Sequence, residues 1–298
     1  MKNDMIKLIS KILTHESFNC RPPVLLDIGA SGDTFPLWDQ LIPFSHCIAF
    51  EPDERERDAL ESTKNNWKKY TSFCSVATSE SIENLDFYLT EFPFCSSTLK
   101  PDKKSLADWD FADLFEVQKT VAIEASNIDR TLYEAGISYI DWFKTDSQGT
   151  DLRLFATLSE KLRRKIVVAD FEPGIIDAYI GEDKLHHLMS FMDNEPFWVN
   201  SMEIKGSRRI LSSDLANSKN DKKQLIANQR TSPCWCEISY LNDMKSSSID
   251  LRTHLLGWVF STLLEQHGFA LRISGKGDKI FKDRIFKELS NYSISLLS

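Results

Sequence analysis

Hydrophobic residues along the chain fall in short, largely apolar runs separated by stretches of helical period. Val24-Leu25-Leu26-Asp27-Ile28-Gly29 is such a run closed by glycine, and Cys47-Ile48-Ala49-Phe50 is another, ending in Glu51-Pro52-Asp53. Both read as strands buried on two faces, the signature of a parallel sheet. Residues 73–77, 140–146 and 166–171 read as further buried strands, 85–89 as a half-exposed strand, and 121–123 as a short one. Helices are expected over 5–13, from an Asp33-Thr34 cap through Trp38 and Leu41, over 54–67, 130–135, 151–162 and 181–193, and as an amphipathic helix over 251–266. Residues 237–241 are strand-like.

Strands alternating with helices predict an α/β fold, a parallel sheet covered by helices on both faces. Right-handed crossovers make it doubly wound, so ligands are expected beyond the carboxyl ends of the strands. Four regions follow: a helical lead-in over 1–21, the main domain over 22–212, a polar lysine- and asparagine-rich linker over 213–233, and a helical extension over 234–298. Residues 90–118 lack a clear period and are a candidate substrate loop.

Composition narrows the partners. The net charge of −8 removes the basic field on which nonspecific nucleic-acid binding depends. The six cysteines are dispersed in mostly apolar runs and read as buried thiols of a reducing compartment. Cys234-Trp235-Cys236 has no second cysteine pair to complete a zinc site, and no metal is expected. The longest apolar stretch, 255–264, is about half a membrane span, and the first residues have no signal-peptide character, so a cytoplasmic protein without a membrane span is expected. The 251–266 helix either packs on its own domain or buries a homodimer interface.

Chemistry gathers after the strands. Gly29-Ala30-Ser31-Gly32 is a G-x-x-G turn, whose backbone N–H groups face a ligand without obstruction by Cβ atoms; it is not the G-x-G-x-x-G of dinucleotide sites. Glu51, 22 residues after Gly29, stands where a carboxylate accepts both hydroxyls of a ribose. Together they indicate a nucleoside site. At the end of the 140–146 strand, Lys144 and Asp146 share a face, either as an ion pair capping the sheet or as groups that act on substrate. Glu172 faces the same rim, as a substrate contact or a strand-end cap. Two other features are weaker: His186-His187 on a helix, and Gly275-Lys276-Gly277, which lacks the remaining positions of a phosphate loop.

Three blocks, residues 25–32, 49–53 and 141–151, in this order resemble the signature blocks of FkbM-type methyltransferases, with the likeness running over roughly 22–210. The resemblance implies a class I, Rossmann-like sheet of about seven strands with an antiparallel strand near its edge, S-adenosylmethionine as cofactor, and O-methylation of a hydroxyl on a glycan or small metabolite. By position, Asp27, Gly29, Ala30, Ser31 and Gly32 would line the methionine part, Glu51 with Pro52 and Asp53 the ribose, and Ser75, Val76 and Ala77 the adenine. Ser31 stands where the family commonly has Asn, and Gln148 where it commonly has Glu, so Gln148 brings no charge to the site. Asp146 is then the first candidate for a base or orienting group and Lys144 the second, with Glu172 and Gln148 as substrate contacts. The rivals are a nucleotide-linked oxidoreductase or epimerase, which lacks its glycine motif here, and a catalytically degenerate binding subunit.

Overall fold

The computed structural model describes residues 2–30, 35–56, 64–211 and 229–298. Its strands are β1 (Val24–Ile28), β2 (His46–Phe50), β3 (Lys69–Phe73), β4 (Val76–Thr78), β5 (Asn84–Thr90), β6 (Val117–Asn127), β7 (Trp142–Thr145), β8 (Val168–Phe171), β9 (Phe197–Ser207) and β10 (Ser232–Asn242). Its α-helices are α1 (Lys2–Leu13), α2 (Lys103–Leu106), α3 (Ile128–Glu134), α4 (Asp151–Thr157), α5 (Glu160–Arg163), α6 (Leu185–Met192), α7 (Leu251–Leu263), α8 (His267–Phe281) and α9 (Ile285–Leu297).

Seven strands form a mostly parallel sheet in the order β3-β2-β1-β7-β8-β10-β9, in which β10 runs antiparallel to both neighbours. The mixed α/β architecture expected from the sequence is present. Strand order reverses at β1, which pairs in parallel with β2 on one side and β7 on the other. In open α/β sheets the crevice at such a reversal is where ligands bind.

The period of two in the strands sorts the core into two layers. Leu25, Cys47, Ala49, Trp142 and Val168 face α1 and the C-terminal helices, whereas Leu26, Ile28, Ile48, Phe50, Phe143 and Phe171 face α3, α4 and α6. Helix α7 differs from the amphipathic helix expected. Leu255, Leu256, Val259 and Phe260 are fully buried, and so are Trp258 and Ser261. A helix covered on all sides has no need of a polar stripe. The sheet takes one side, and α1, α8 and α9 pack around the others, so α7 packs within its own chain.

Arg252 fastens α7 to the amino-terminal edge of the sheet. Its Nη1 and Nη2 donate to the two carboxylate oxygens of Asp141 at 2.8 and 2.6 Å, and its Nε donates to the Arg21 carbonyl. Asp141 also accepts the Val24 N–H at 2.8 Å.

Several elements depart from expectation. Strand-like 237–241 is the middle of β10, an inner strand of the main sheet, so the region over 234–298 begins inside that sheet rather than as a helical extension. Residues 232–233 of the expected linker already belong to β10, and its residues 213–228 lie outside the described residues. Strand β9, unanticipated, is the sheet edge with an irregular burial pattern, which hides it from a search for apolar runs. The 73–77 strand is two strands, β3 in the main sheet and β4 in a small sheet ordered β4-β6-β5. The 151–162 helix breaks at Leu158, which is extended, into α4 and α5. The expected helix through Trp38 and Leu41 is, over its described part, a pair of 3-10 turns at Pro36–Trp38 and Ile42–Phe44. Helix 54–67 shows 3-10 turns at its two ends, Glu54–Glu56 and Lys64–Asn66, and its middle lies outside the described residues. No helix among the described residues is long and apolar enough to cross a membrane.

Candidate functional site

The turn after β1 is drawn onto the end of β2. The Gly29 and Ala30 N–H groups both donate to the Phe50 carbonyl, at 3.0 and 3.2 Å. The Asp146 N–H donates to the Ile28 carbonyl at 2.9 Å, which brings the end of β7 alongside the same turn. Gly29 has φ +73°, and a Cβ there would stand 2.1 Å from the Asp146 carbonyl oxygen. Only glycine satisfies both the left-handed backbone and this close approach. The remainder of the turn, Ser31 and Gly32, lies outside the described residues.

A cleft of about 600 Å3, open to solvent, lies over these strand ends. Gly29, Glu51, Pro52 and Asp53 line one part, and Val76, Ala77 and Phe87 form an apolar wall. Asp146, Ser147 and Gln148 close the side toward β7. Glu51 is buried, and one of its carboxylate oxygens accepts the Asp53 N–H at 2.7 Å. Ser75 is turned to the Ser126 hydroxyl, at 2.6 Å, and Ala30 is buried; neither borders the cleft.

The expected Lys144–Asp146 pair divides differently. Lys144 Nζ donates to Asp27 Oδ1 at 2.8 Å. Burial opposes its charge, but Asp27 and Asp146 outweigh burial and raise its pKa above the ordinary lysine value. An ammonium held in this way is a poor base, which corrects its candidacy for that role. The same ion pair turns Asp27 away from the cleft, whose wall begins at Ile28. Burial pushes the Asp146 carboxyl up to about 6, against the pull of Lys144. It is therefore mostly ionised at neutral pH and still basic enough to take a proton.

Gln148 occupies the left-handed region at φ 55° and spans two groups. Its Nε2 donates to Asp146, and its Oε1 accepts the Tyr179 hydroxyl at 2.9 Å. A glutamate here has no amide hydrogen to offer Asp146 and repels it instead. Asp151 is a scaffold. Buried, it accepts the Ser147 N–H at 2.9 Å and the Glu172 N–H at 2.8 Å, fixing the loop after β7 to the end of β8.

Asp146 and Gln148 also border a second cavity of about 870 Å3, with Glu172 on its wall. Phe111, Phe115, Tyr179 and Trp235 supply much of its apolar lining, and Phe92 and Phe94 stand half-exposed beside it. The 90–118 segment anticipated as a substrate loop walls both cavities. It is held by Ser97, whose hydroxyl donates to the Gln148 carbonyl at 2.7 Å, and by Arg55, which bonds Asp53, the Thr90 carbonyl and Ser96.

Arg55, Tyr179 and Trp235 were not singled out from the sequence. Apart from Asp53, which Arg55 meets two residues away, the groups they meet are distant in the chain. His186 and His187 are exposed on α6, away from both cavities. Gly277 lies within α8, where a Cβ would meet Phe286 at 2.3 Å, so this glycine serves helix packing. All six cysteines are free, and Cys234 and Cys236 are buried on β10. No family model, curated protein or solved structure matches the chain.

Proposed function

We propose that the chain is an S-adenosylmethionine-dependent methyltransferase of the FkbM type, transferring methyl to a hydroxyl. The observation that carries this reading is the pairing of two cavities that share Asp146, Gln148 and Phe94, at the point where strand order reverses. The sheet supports it: seven strands, with an antiparallel member next to the edge, are what the resemblance implies.

The first cleft fits the cofactor by the chemistry of its donors and walls. Gly29 opens the turn toward the methionine part, Glu51 offers acceptors to the ribose, and Val76 with Ala77 and Phe87 form a flat apolar slot suited to adenine. When bound, S-adenosylmethionine supplies a methyl group activated by its sulfonium. Asp146 orients the acceptor hydroxyl and receives its proton, and a positioned base of this kind contributes roughly 10²–10⁴-fold. Lys144 remains charged on Asp27 and holds the ends of β1 and β7 in register. Gln148 fixes the Asp146 carboxylate and, through Tyr179, the wall of the second cavity.

Titration calorimetry with S-adenosylmethionine and with NAD tests the reading. Binding of the first and not the second is expected. Glu51→Ala is expected to weaken binding about 10–100-fold, the worth of hydrogen bonds to a charged group. Preference for NAD would refute the proposal.

A further inference from the structure

The second cavity has an uneven charge. Its wall carries Asp146, Glu172 and Glu182 and no lysine, arginine or histidine. Glu182 is answered by Lys184, at 3.2 Å, and by the Ala178 N–H, at 2.8 Å. Lys144 is committed to Asp27. Asp146 receives only the amide of Gln148, and Glu172 receives no side-chain hydrogen bond or ion pair among the described residues. Glu172 is half-buried, and this burial, reinforced by Asp146, pushes its carboxyl up to about 9. The groups whose charge acts on it are Asp146, Lys144, Asp151 and Glu237. Much of the rest of the wall is aromatic: Phe111 lies 6.4 Å from Trp235 and 5.3 Å from Phe115, which in turn lies 5.5 Å from Tyr179.

Carboxylates set among aromatic rings, with no cation of their own, complement an organic ammonium. The rings attract it, and Glu172, which holds its proton in the unliganded protein, releases that proton to solvent and becomes the counter-ion once the ammonium is beside it. The same wall repels phosphate and carboxylate. We infer that the second cavity binds an acceptor that carries a protonated amine beside its hydroxyl on an apolar body, with Glu172 as the counter-ion of that amine. This rests on the methyltransferase reading and narrows its acceptor to amine-bearing molecules. Glu172 borders only the second cavity and Asp146 borders both, so the amine and the reacting hydroxyl are served by different carboxylates.

The test uses the full chain and three probes of one shape: tyramine, its neutral analogue 4-ethylphenol, and its anionic analogue 3-(4-hydroxyphenyl)propionate. Each is titrated with and without S-adenosylhomocysteine, followed by tryptophan fluorescence and calorimetry. Tyramine is expected to bind about tenfold or more tighter than 4-ethylphenol, with the anion weakest. Glu172→Gln is expected to erase the advantage of tyramine while leaving affinity for S-adenosylhomocysteine intact. Equal binding of tyramine and 4-ethylphenol, preference for the anion, failure of all three, or an advantage that survives Glu172→Gln overturns the inference. If S-adenosylhomocysteine does not bind but the tyramine preference holds, the cation pocket stands and the methyltransferase reading falls.

Discussion

Gly29→Ala separates two demands that the turn after β1 places on one residue. Position 29 has φ +73°, and its Cβ would lie 2.1 Å from the Asp146 carbonyl oxygen. Gly136 provides the control. It has φ +70° and closes α3, with its N–H on the Tyr133 carbonyl, yet a Cβ there meets nothing within 4 Å. Left-handed backbone costs an alanine ~1–2 kcal/mol, and Gly136→Ala should lose that alone. Gly29→Ala adds a collision with backbone, worth ~1–3 kcal/mol when the surroundings must move, for a total of ~2–5 kcal/mol. Relief requires the chain just after β7 to shift at Asp146, which borders both cavities. Gly29→Ala should therefore also weaken binding of S-adenosylmethionine, and Gly136→Ala should not. Urea denaturation followed by tryptophan fluorescence gives the stabilities, and calorimetry gives the affinities. Equal destabilisation by the two substitutions, or unchanged affinity in Gly29→Ala, refutes the reasoning.

Asp146→Asn should preserve cofactor affinity and lower turnover ~10²–10⁴-fold, measured with any accepted hydroxyl substrate. In the parent enzyme kcat/KM should rise with pH through about 6 as Asp146 ionises, and an unchanged rate in the variant would place the base elsewhere. Glu172 is raised from 4.5 to about 9, so the folded state holds its proton where the unfolded chain has lost it. Stability from this group is complete below the unfolded value and is lost as pH rises through about 9; thermal melts of Glu172→Gln should show a flatter decline across that window than the parent. Arg252→Ala strands the buried Asp141 carboxylate and should cost ~3–5 kcal/mol in urea denaturation, with cofactor affinity unchanged because the pair lies at the opposite edge of the sheet.

The sequence made the centre of the sheet legible because β1, β2, β7 and β8 are buried on both faces and appear as apolar runs broken only by a few polar or charged residues such as Asp27 and Asp170. It also directed attention to the strand ends, over which both cavities lie. Edge strand β9 was hidden because its alternation is irregular. β10 was assigned outside the main domain because pairing with β8 joins segments far apart in the chain. The roles of Lys144 and Asp27 depended on which carboxylate the ammonium meets, a matter of register between β1 and β7, where Asp27 lies directly opposite Lys144. The second cavity is assembled from residues 92–115, 146–149, 172–182 and 234–235, and no local pattern announces such a convergence.

The central claim is that the ends of β1 and β2 and the start of β4 together hold an adenosyl group. A crystal structure with S-adenosylhomocysteine tests it directly. The account predicts the ribose hydroxyls on the Glu51 carboxylate, the adenine against Val76 and Ala77, and the sulfur directed toward Asp146. Density for the compound at any other place, or that cleft left empty at saturating ligand, contradicts it.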